Sequence, residues 1–418
     1  MSLMRLAFLS LLNRRVTALL TAAAIALSTC LLLGVETVRT GAKASFADTV
    51  SGTDLIVGAR SGSVQLLLYS VFRIGDATAN LTWESYEEIA ARPEVDWIVP
   101  LSLGDSHRGF RVLGTTGEYF ERYRYRGGRP LGFAAGAPFD DLFDAVIGAE
   151  VAETLGYVLG DEIVVAHGLA SFSEHGDKPF RVAGILERTG TPVDRTVHVS
   201  LRAIEAIHVD WTRGAQAPEG ARVSADEVRA MDLRPQAITA ALVGVKSRLQ
   251  IFGLQRWINE YPQEPLLAVL PGVALQELWA IVGVAETALV AVSGMVVATA
   301  LIGLAAMVFA GLDARRREMA ILRAVGARPS TILGLLVLEA TMLSLAGALA
   351  GLGLLYALLL IARPWIDSAW GLWLPVSAPG ARELALLAAV AAAGALAGLP
   401  PAIRAWRMSL ADGMTIRT

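Results

Sequence analysis

The chain has 418 residues, of which 54% are hydrophobic and 18% are charged, and its formal net charge is −3. Soluble domains carry roughly 25% charged residues, so this composition indicates a membrane protein and disfavours a soluble enzyme. The small net charge gives no reason to expect nucleic-acid binding. A single cysteine, Cys30, excludes an intramolecular disulfide.

Four apolar runs are long enough to cross about 30 Å of hydrocarbon, which takes roughly 20 residues each. The first could be mistaken for a signal peptide, but its apolar core is too long for a cleaved segment. The second is expected to begin as a stalk near Gly272, outside the bilayer. The predicted transmembrane segments are 16–38, the later part of 276–312, 332–362 and 384–400.

Arginines flank these runs unevenly and predict the orientation of the chain. They lie before the first run, between the second and third, and after the fourth, at Arg5, Arg14, Arg15, five positions in 314–329, Arg404, Arg407 and Arg417. By the positive-inside rule, both termini and the arginine-rich loop are cytosolic. The predicted cytosolic parts are 1–15, 313–331 and 401–418, and the predicted outer parts are a periplasmic segment 39–275 and a short loop 363–383. The expected location is the inner membrane.

The segment 39–275 alternates strand and helix patterns, which predicts a large mixed α/β domain inserted between the first two membrane helices. Helices are predicted at 82–91, capped by Thr82, at 201–208, and at 247–259, capped by Ser247. Strands are predicted at 54–57, 97–101, 109–113, 145–147, 162–165, 180–186, 196–200, 238–245 and 266–270. The Ala-, Gly- and Pro-rich stretch near 212–235 is interpreted as a mobile insertion, and the domain is expected to be bipartite.

The stretch ARRREMAILRAVGARP, residues 314–329, lies between two of the most apolar runs. Met319, Leu322 and Val325 recur at the spacing of one helix face. Gly326 suits a left-handed cap that ends this helix. The pattern predicts a short cytosolic helix with one apolar face.

Arg316 and Arg323 lie seven positions apart and share another face of this helix. A helix with one apolar and one basic face can lie in a groove of a partner protein. On these features alone, a basic loop that only fixes the topology is an equally good interpretation.

The text from Arg315 onward resembles the FtsX-like permease family of ABC transporters, in which such a segment docks on an ABC ATPase. The positions that match are Arg315, Arg316, Glu318, Ala320, Leu322, Arg323, Ala324, Gly326 and Ala327. The tail 401–407 is similar to the family's ending, although Ser409 and Leu410 stand where a proline is usual. The outer segment resembles the periplasmic core domain of MacB-type and lipoprotein-releasing permeases at 146–148, 152–164 and 180–186.

This resemblance implies the permease subunit of an ABC transporter, with mechanotransmission from a separate ATPase to the outer domain. The chain contains no G-x-x-x-x-G-K-[ST] loop, so we expect no enzyme activity and no cofactor here, with ATP and Mg on the partner. The implied partners are that cytosolic ATPase, a second permease copy, a possible periplasmic adaptor and membrane lipid. The implied cargo is hydrophobic, a peptide or a lipoprotein. Two alternatives are a regulator of a cell-wall hydrolase, as FtsX itself is, and a metal-handling outer domain on the same scaffold.

Small residues and acids mark the predicted membrane helices. Gly347 with Gly351 and Gly394 with Gly398 form small-x-x-x-small faces, which we interpret as packing surfaces within the bundle or a dimer. Glu286 and Glu339 are the acids in or near predicted helices two and three, and intramembrane acids are functional candidates. Glu286 is expected at the outer boundary. Glu339 is expected to pair with an arginine of the coupling segment.

All five histidines fall in the outer segment. His167 and His175 are the candidate metal ligands, because imidazole is a frequent zinc ligand. Their spacing matches no known zinc motif, so we expect no metal at this pair.

Overall fold

The computed structural model describes residues 3–168, 176–212, 215–216, 222–370 and 378–407. The chain divides into two compact units. The helical unit comprises residues 1–41, 283–364 and 374–418, and the α/β unit comprises residues 42–282 with 365–373.

The described helices are numbered in chain order. They are α1 (Leu3–Asn13), α2 (Arg15–Thr49), α3 (Ser63–Ser70), α4 (Trp83–Ala90), α5 (Glu118–Arg122), α6 (Ala149–Leu155), α7 (Leu201–His208), α8 (Ala225–Arg229), α9 (Ile251–Asn259), α10 (Pro271–Ala314), α11 (Arg316–Ala324), α12 (Pro329–Trp370) and α13 (Ala381–Arg407). Two short 3₁₀ turns lie at Pro192–Arg195 and Arg248–Gln250.

The described strands are numbered in the same way. They are β1 (Leu55–Ala59), β2 (Leu81–Thr82), β3 (Val95–His107), β4 (Phe110–Thr115), β5 (Arg124–Tyr125), β6 (Arg129–Pro130), β7 (Phe133–Gly136), β8 (Asp144–Ile147), β9 (Glu162–Ile163), β10 (Ala166–His167), β11 (Phe180–Leu186), β12 (Thr196–Ser200), β13 (Trp211–Thr212), β14 (Ala215–Gln216), β15 (Ala237–Ile238), β16 (Ala240–Val245) and β17 (Leu266–Val269).

Among the described residues, the helices α2, α10, α12 and α13 are long and apolar enough to cross a membrane, with mean hydropathies of 2.2, 2.4, 2.3 and 1.9 in their most apolar windows. The predicted number of four such helices is confirmed. Apolar side chains such as Leu27, Ile302 and Ile361 are exposed on their surfaces, as a lipid-facing surface requires.

Several helices are longer than the apolar runs from which they were predicted. Helix α2 continues to Thr49 and not only to residue 38, because Glu, Arg, Lys and Ala end an apolar run without disfavouring helix. Helix α12 reaches Trp370, so its last eight residues lie in the segment 363–383 that was predicted as an outer loop. Helix α13 passes its two prolines and ends at Arg407, seven residues later than predicted. The predicted cytosolic segment 1–15 contains a further helix, α1, that the sequence analysis did not identify.

The α/β unit is built on an 11-stranded sheet in the order β17-β1-β16-β3-β4-β12-β8-β11-β7, with β10 paired to β3 and β9 to β11. Strand β3 belongs to both halves of this sheet. Its residues 95–101 pair with β16, and its residues 102–107 pair with β4 after an irregularity between Leu103 and Ser106. Two halves joined by one long strand correspond to the bipartite domain that was expected.

Each half of the sheet has its own hydrophobic core. Helices α4 and α9 cover the first half, where Ile89 and Leu254 are fully buried with Leu55. Helices α6, α7 and α8 cover the second half, around Phe180 and Ile207. A third cluster includes buried residues of α3 and α5 together with residues from strands of both halves, such as Ile56 and Val146.

The stretch 212–235, interpreted as a loop or mobile insertion, contains a short helix in its second half. Residues 225–229 form α8, whose N-terminus carries a capping box between Ser224 and Glu227. The side chain of Val228 is fully buried. This burial stabilises a helix in a stretch whose composition is typical of loops. Residues 213–214 and 217–221 lie outside the described residues. The predicted Ser247 cap is also absent, because a 3₁₀ turn precedes α9 and Ser247 makes no capping hydrogen bond.

Candidate functional site

The predicted coupling helix is present as α11, which spans Arg316–Ala324. Its end follows the expected chemistry: Gly326 has a φ of +101°, and Ala327 N–H donates to the Leu322 carbonyl at 3.0 Å. Pro329 then begins α12, at a position where its missing N–H costs no helical hydrogen bond. One glycine and one proline therefore separate α11 from α12.

The apolar face of α11 is only partly available to a partner protein. Met319 and Leu322 line a groove of about 490 Å³ together with Leu6 and Leu9 of α1. Met319 and Leu322 therefore share a groove with α1, whereas Val325, predicted on the same apolar face, is 84% exposed.

A different row of side chains is exposed on α11. Ile321 is 59% exposed and Val325 is 84% exposed, and Arg317 is exposed one turn before them. These three residues are four apart and share one helix face, which we call the exposed ridge. Arg316 and Arg323, the basic residues predicted to face the ATPase, are half-buried.

Arg315 directly precedes α11, and its side chain is buried and does not contribute to the exposed surface of that helix. Its guanidinium donates two hydrogen bonds to the carboxylate of Glu339 on α12, at 2.7 and 2.6 Å. Both side chains are nearly buried, at 9% and 5% exposed. Glu318 lies 3.8 Å from the same guanidinium but is 57% exposed. The ion pair expected for Glu339 is present, and it joins the residue that precedes α11 to α12.

The predicted small-residue faces lie at helix contacts within one chain. A Cβ added at Gly347 or Gly351 of α12 would meet Ile25 or Ala26 of α2. A Cβ added at Gly394 or Gly398 of α13 would meet Ser344 or Ala340 of α12. These glycines allow α12 to approach both neighbours closely. Of the two predicted roles, packing within the bundle or in a dimer, these contacts support packing within the bundle.

Replacing Gly351 with valine should destabilise the bundle by about 2–3 kcal/mol, because overpacking a tight contact costs roughly 1–3 kcal/mol. The new Cβ would lie 2.5 Å from the backbone oxygen of Ala26, which cannot rotate away. The melting temperature of the detergent-solubilised protein should fall accordingly. Gly353→Val on the same helix is the control, since a Cβ there meets nothing within 4 Å. Equal melting temperatures for both variants would contradict the assignment.

Glu286 belongs to a charged cluster in the helical unit. It lies 3.8 Å from Arg39, which also contacts Glu36 at 3.2 Å. Arg382 donates to Glu36 at 2.9 Å. These four side chains come from three segments far apart in sequence, so the sequence patterns indicate only Glu286. Glu36 is the first charged residue after an apolar run, and this position is the sequence feature that could have indicated the charged cluster.

The α/β unit contains a cavity of about 350 Å³ that the sequence analysis missed. Its lining combines apolar and basic side chains, among them Phe46, Phe72, Arg73, Arg111 and Arg195. Arg111 forms an ion pair with Asp76 at 2.7 Å. Such a lining suits a hydrophobic group that carries a negative charge.

The two candidate metal ligands have different outcomes. His175 lies outside the described residues. His167 lies on β10, where its Nδ1 is 3.1 Å from His208 Nε2 and 3.3 Å from Asp105 Oδ1. The pKa of His167 is raised, chiefly by its interaction with the Asp105 carboxylate. His198, in contrast, is fully buried, and burial lowers its pKa to about 3, so it is a neutral core residue.

Comparison with known proteins gives two sequence matches. Residues 18–242 match the model of the MacB-like periplasmic core domain, and residues 290–410 match the model of the FtsX-like permease C-terminal region. Together they cover most of the chain, and the first alone covers more than half of it. No curated protein matches the chain.

Two solved structures are similar to part of this chain. The periplasmic region of MacB from Actinobacillus actinomycetemcomitans has 11% identity and a TM-score of 0.34, over 56% of this chain and 94% of that one. The extracellular domain of the noncanonic ABC-type transporter YknZ from Gram-positive bacteria has 15% identity and a TM-score of 0.31, over 52% of this chain and 99% of that one. At such scores, the two sequence matches carry the family assignment.

Proposed function

We propose a function from one premise: the chain belongs to the family of ABC-type permeases that join a MacB-like periplasmic core domain to an FtsX-like C-terminal region. It is therefore a permease subunit of this type. In our proposal it acts by mechanotransmission in the inner membrane. ATP hydrolysis on a separate cytosolic ATPase moves the α/β unit, which does work on a cargo outside the membrane.

The sequence and α11 together support a separate ATPase. The 418 residues contain no phosphate-binding G-x-x-x-x-G-K-[ST] loop, so ATP and Mg would be held by the partner. The exposed ridge offers that partner two apolar side chains, Ile321 and Val325, beside the charge of Arg317. Exposed apolar residues on a short helix between two membrane helices favour a protein contact.

The observation that carries the proposal is the way in which α11 is held between two long helices. Helix α10 is continuous over 44 residues, about 66 Å at 1.5 Å per residue, which is twice the thickness of the hydrocarbon. It ends directly before Arg315, and Arg315 is bound through Glu339 to α12. A displacement of α11 by an ATPase would therefore act on both helices at once.

The interior of the described bundle supports transmission of motion and not conduction of a polar cargo. Between the Arg315–Glu339 pair and the Glu36 cluster, the buried polar residues are hydroxyls only: Ser28, Thr29, Ser293 and Ser344. Three of these hydroxyls donate to a backbone carbonyl one turn earlier on their own helix. A path for a polar solute would need polar groups facing a cavity across the bilayer.

The cavity in the α/β unit supports the proposed class of cargo. About 350 Å³ is enough for a drug-sized molecule or an acyl or peptide segment, but not for a folded protein. Phe46 and Phe72 supply apolar contact, and Arg73 and Arg195 supply positive charge. We therefore propose a hydrophobic, peptide or lipoprotein cargo of which one segment enters the cavity. A second copy of the chain and a periplasmic adaptor complete the proposed assembly.

Interrupting α10 should uncouple the α/β unit from nucleotide binding. The test inserts Gly-Ser-Gly-Ser after Gly283, in a Cys30→Ala background with a spin label at Leu249→Cys, a position that is 93% exposed. In the uninterrupted protein with its ATPase, ATP should change the distance between the labels of the two copies. The insertion should abolish that change while ATP hydrolysis persists, because a flexible link transmits no displacement.

The control carries the same insertion between Gly127 and Gly128, an exposed turn with open space around both glycines. It should keep the nucleotide-dependent change. A distance that does not respond to ATP in the uninterrupted protein, or a response that survives the insertion in α10, would refute mechanotransmission through this helix.

A further inference from the structure

Three side chains from separate elements of the α/β unit converge on one point. Asp105 lies on β3 and His167 on β10, where the two residues are direct partners in the antiparallel register. His208 is the last residue of α7. His167 Nδ1 is 3.1 Å from His208 Nε2 and 3.3 Å from Asp105 Oδ1, and His208 Nε2 is 3.7 Å from Asp105 Oδ1.

A hydrogen bond orients the imidazole ring of His208 so that its other nitrogen, Nε2, points toward Asp105 and His167. Its Nδ1 lies 2.7 Å from the carbonyl of Ile204, which can only accept, so Nδ1 carries the proton. In the neutral form of this tautomer Nε2 carries the lone pair, and it faces Asp105 and His167. Metal-binding histidines are held in this manner, with the second ring nitrogen donating to a backbone carbonyl.

Asp105 supplies a second, independent observation. Its side chain is 5% exposed, and within the described part of the chain no group forms a hydrogen bond of good geometry with Oδ1. A buried carboxylate oxygen without such a partner is costly unless a cation or a donor reaches it. The oxygen faces the two imidazoles.

We propose that Asp105, His167 and His208 form a binding site for a divalent metal of the zinc class. Zinc lies about 2.0–2.1 Å from nitrogen and oxygen ligands, so tetrahedral ligands are about 3.3–3.4 Å apart. The observed separations of 3.1, 3.3 and 3.7 Å bracket that value.

Neighbouring side chains are compatible with metal binding at this site, and the elements that the site joins indicate a structural role. Trp211 stacks on His167 with ring centroids 5.2 Å apart, which fixes the plane of the imidazole. The nearby charges of Lys178 and Asp210 are already paired at 2.9 Å, so they do not compete for the metal. A bound ion would tie the end of α7 and strand β10 to β3, the strand that both halves of the sheet share.

The test uses the full-length protein, purified in detergent and stripped of metal with a chelator. Addition of ZnCl₂ should give one equivalent of bound zinc per chain by metal analysis after dialysis. Co²⁺ should give the visible absorption of a tetrahedral site. Zinc should also raise the melting temperature, since it binds the folded state, and a chelator should reverse the shift.

Asp105→Asn, His167→Ala and His208→Ala should each lose the bound zinc and the Co²⁺ absorption. Asp96→Asn is the matched control, because it makes the same change at an exposed position of the same strand. Folding of each variant is checked by circular dichroism and by its melting temperature without metal. A wild-type protein that binds no zinc, or zinc binding that survives all three substitutions, would overturn the proposal. Retained zinc in the three variants with loss in His175→Ala would place the site elsewhere and have the same consequence.

Discussion

Glu339→Gln should destabilise the helical unit by about 3–5 kcal/mol, the usual cost of leaving a buried charge without its partner. Arg315 would keep its positive charge at a position where its side chain is only 9% exposed, and it would lose two charge-assisted hydrogen bonds. The melting temperature of the detergent-solubilised protein measures the loss. Binding of the ATPase should weaken in parallel, because α11 loses its attachment to α12.

A second carboxylate near the same guanidinium provides the control. Glu318 lies 3.8 Å from Arg315 but is 57% exposed, so Glu318→Gln should cost less than about 1 kcal/mol. The double variant Arg315→Gln with Glu339→Gln removes both charges and should recover part of the lost stability. Equal losses for Glu339→Gln and Glu318→Gln would show that burial of the pair has no energetic consequence.

Local patterns predicted the elements well where one residue type decides the outcome. The end of α11 at Gly326 and the start of α12 at Pro329 are backbone requirements that can be read from the letters alone. The four apolar helices follow from composition in the same way. Their ends do not, since a charge such as Arg363 stops a membrane span and leaves the helix intact.

Contacts between distant segments were beyond the sequence patterns. Nothing near Met319 indicates that α1, some 300 residues earlier, would line a groove together with Met319 and Leu322. His167 was singled out as a possible ligand, but its neighbours Asp105 and His208 are 62 and 41 residues away in the chain. Such groups meet only through strand register and helix packing. A single sequence carries no signal for either.

The exposed ridge also changes the prediction about where the ATPase binds. The sequence pattern favoured the basic face of Arg316 and Arg323, but both of these side chains are half-buried. The apolar residues that remain accessible are Ile321 and Val325, at 59% and 84% exposed. Side chains that become fully desolvated at the centre of an interface, and not charges at its rim, supply most of its energy.

Ile321→Asp combined with Val325→Asp should therefore weaken ATPase binding at least about a hundredfold, since each interface hot spot contributes roughly 2 kcal/mol or more. The measurement is co-purification, followed by titration, of the ATPase that accompanies the wild-type protein. Leu249→Asp with Phe252→Asp is the matched control, because it makes the same kind of change at two exposed apolar positions of the α/β unit, 93% and 68% exposed. That control should keep the ATPase bound, and both variants should insert normally. If the ATPase stays on the ridge variant and is released by Arg316→Glu with Arg323→Glu, the basic face is the contact and the ridge is not.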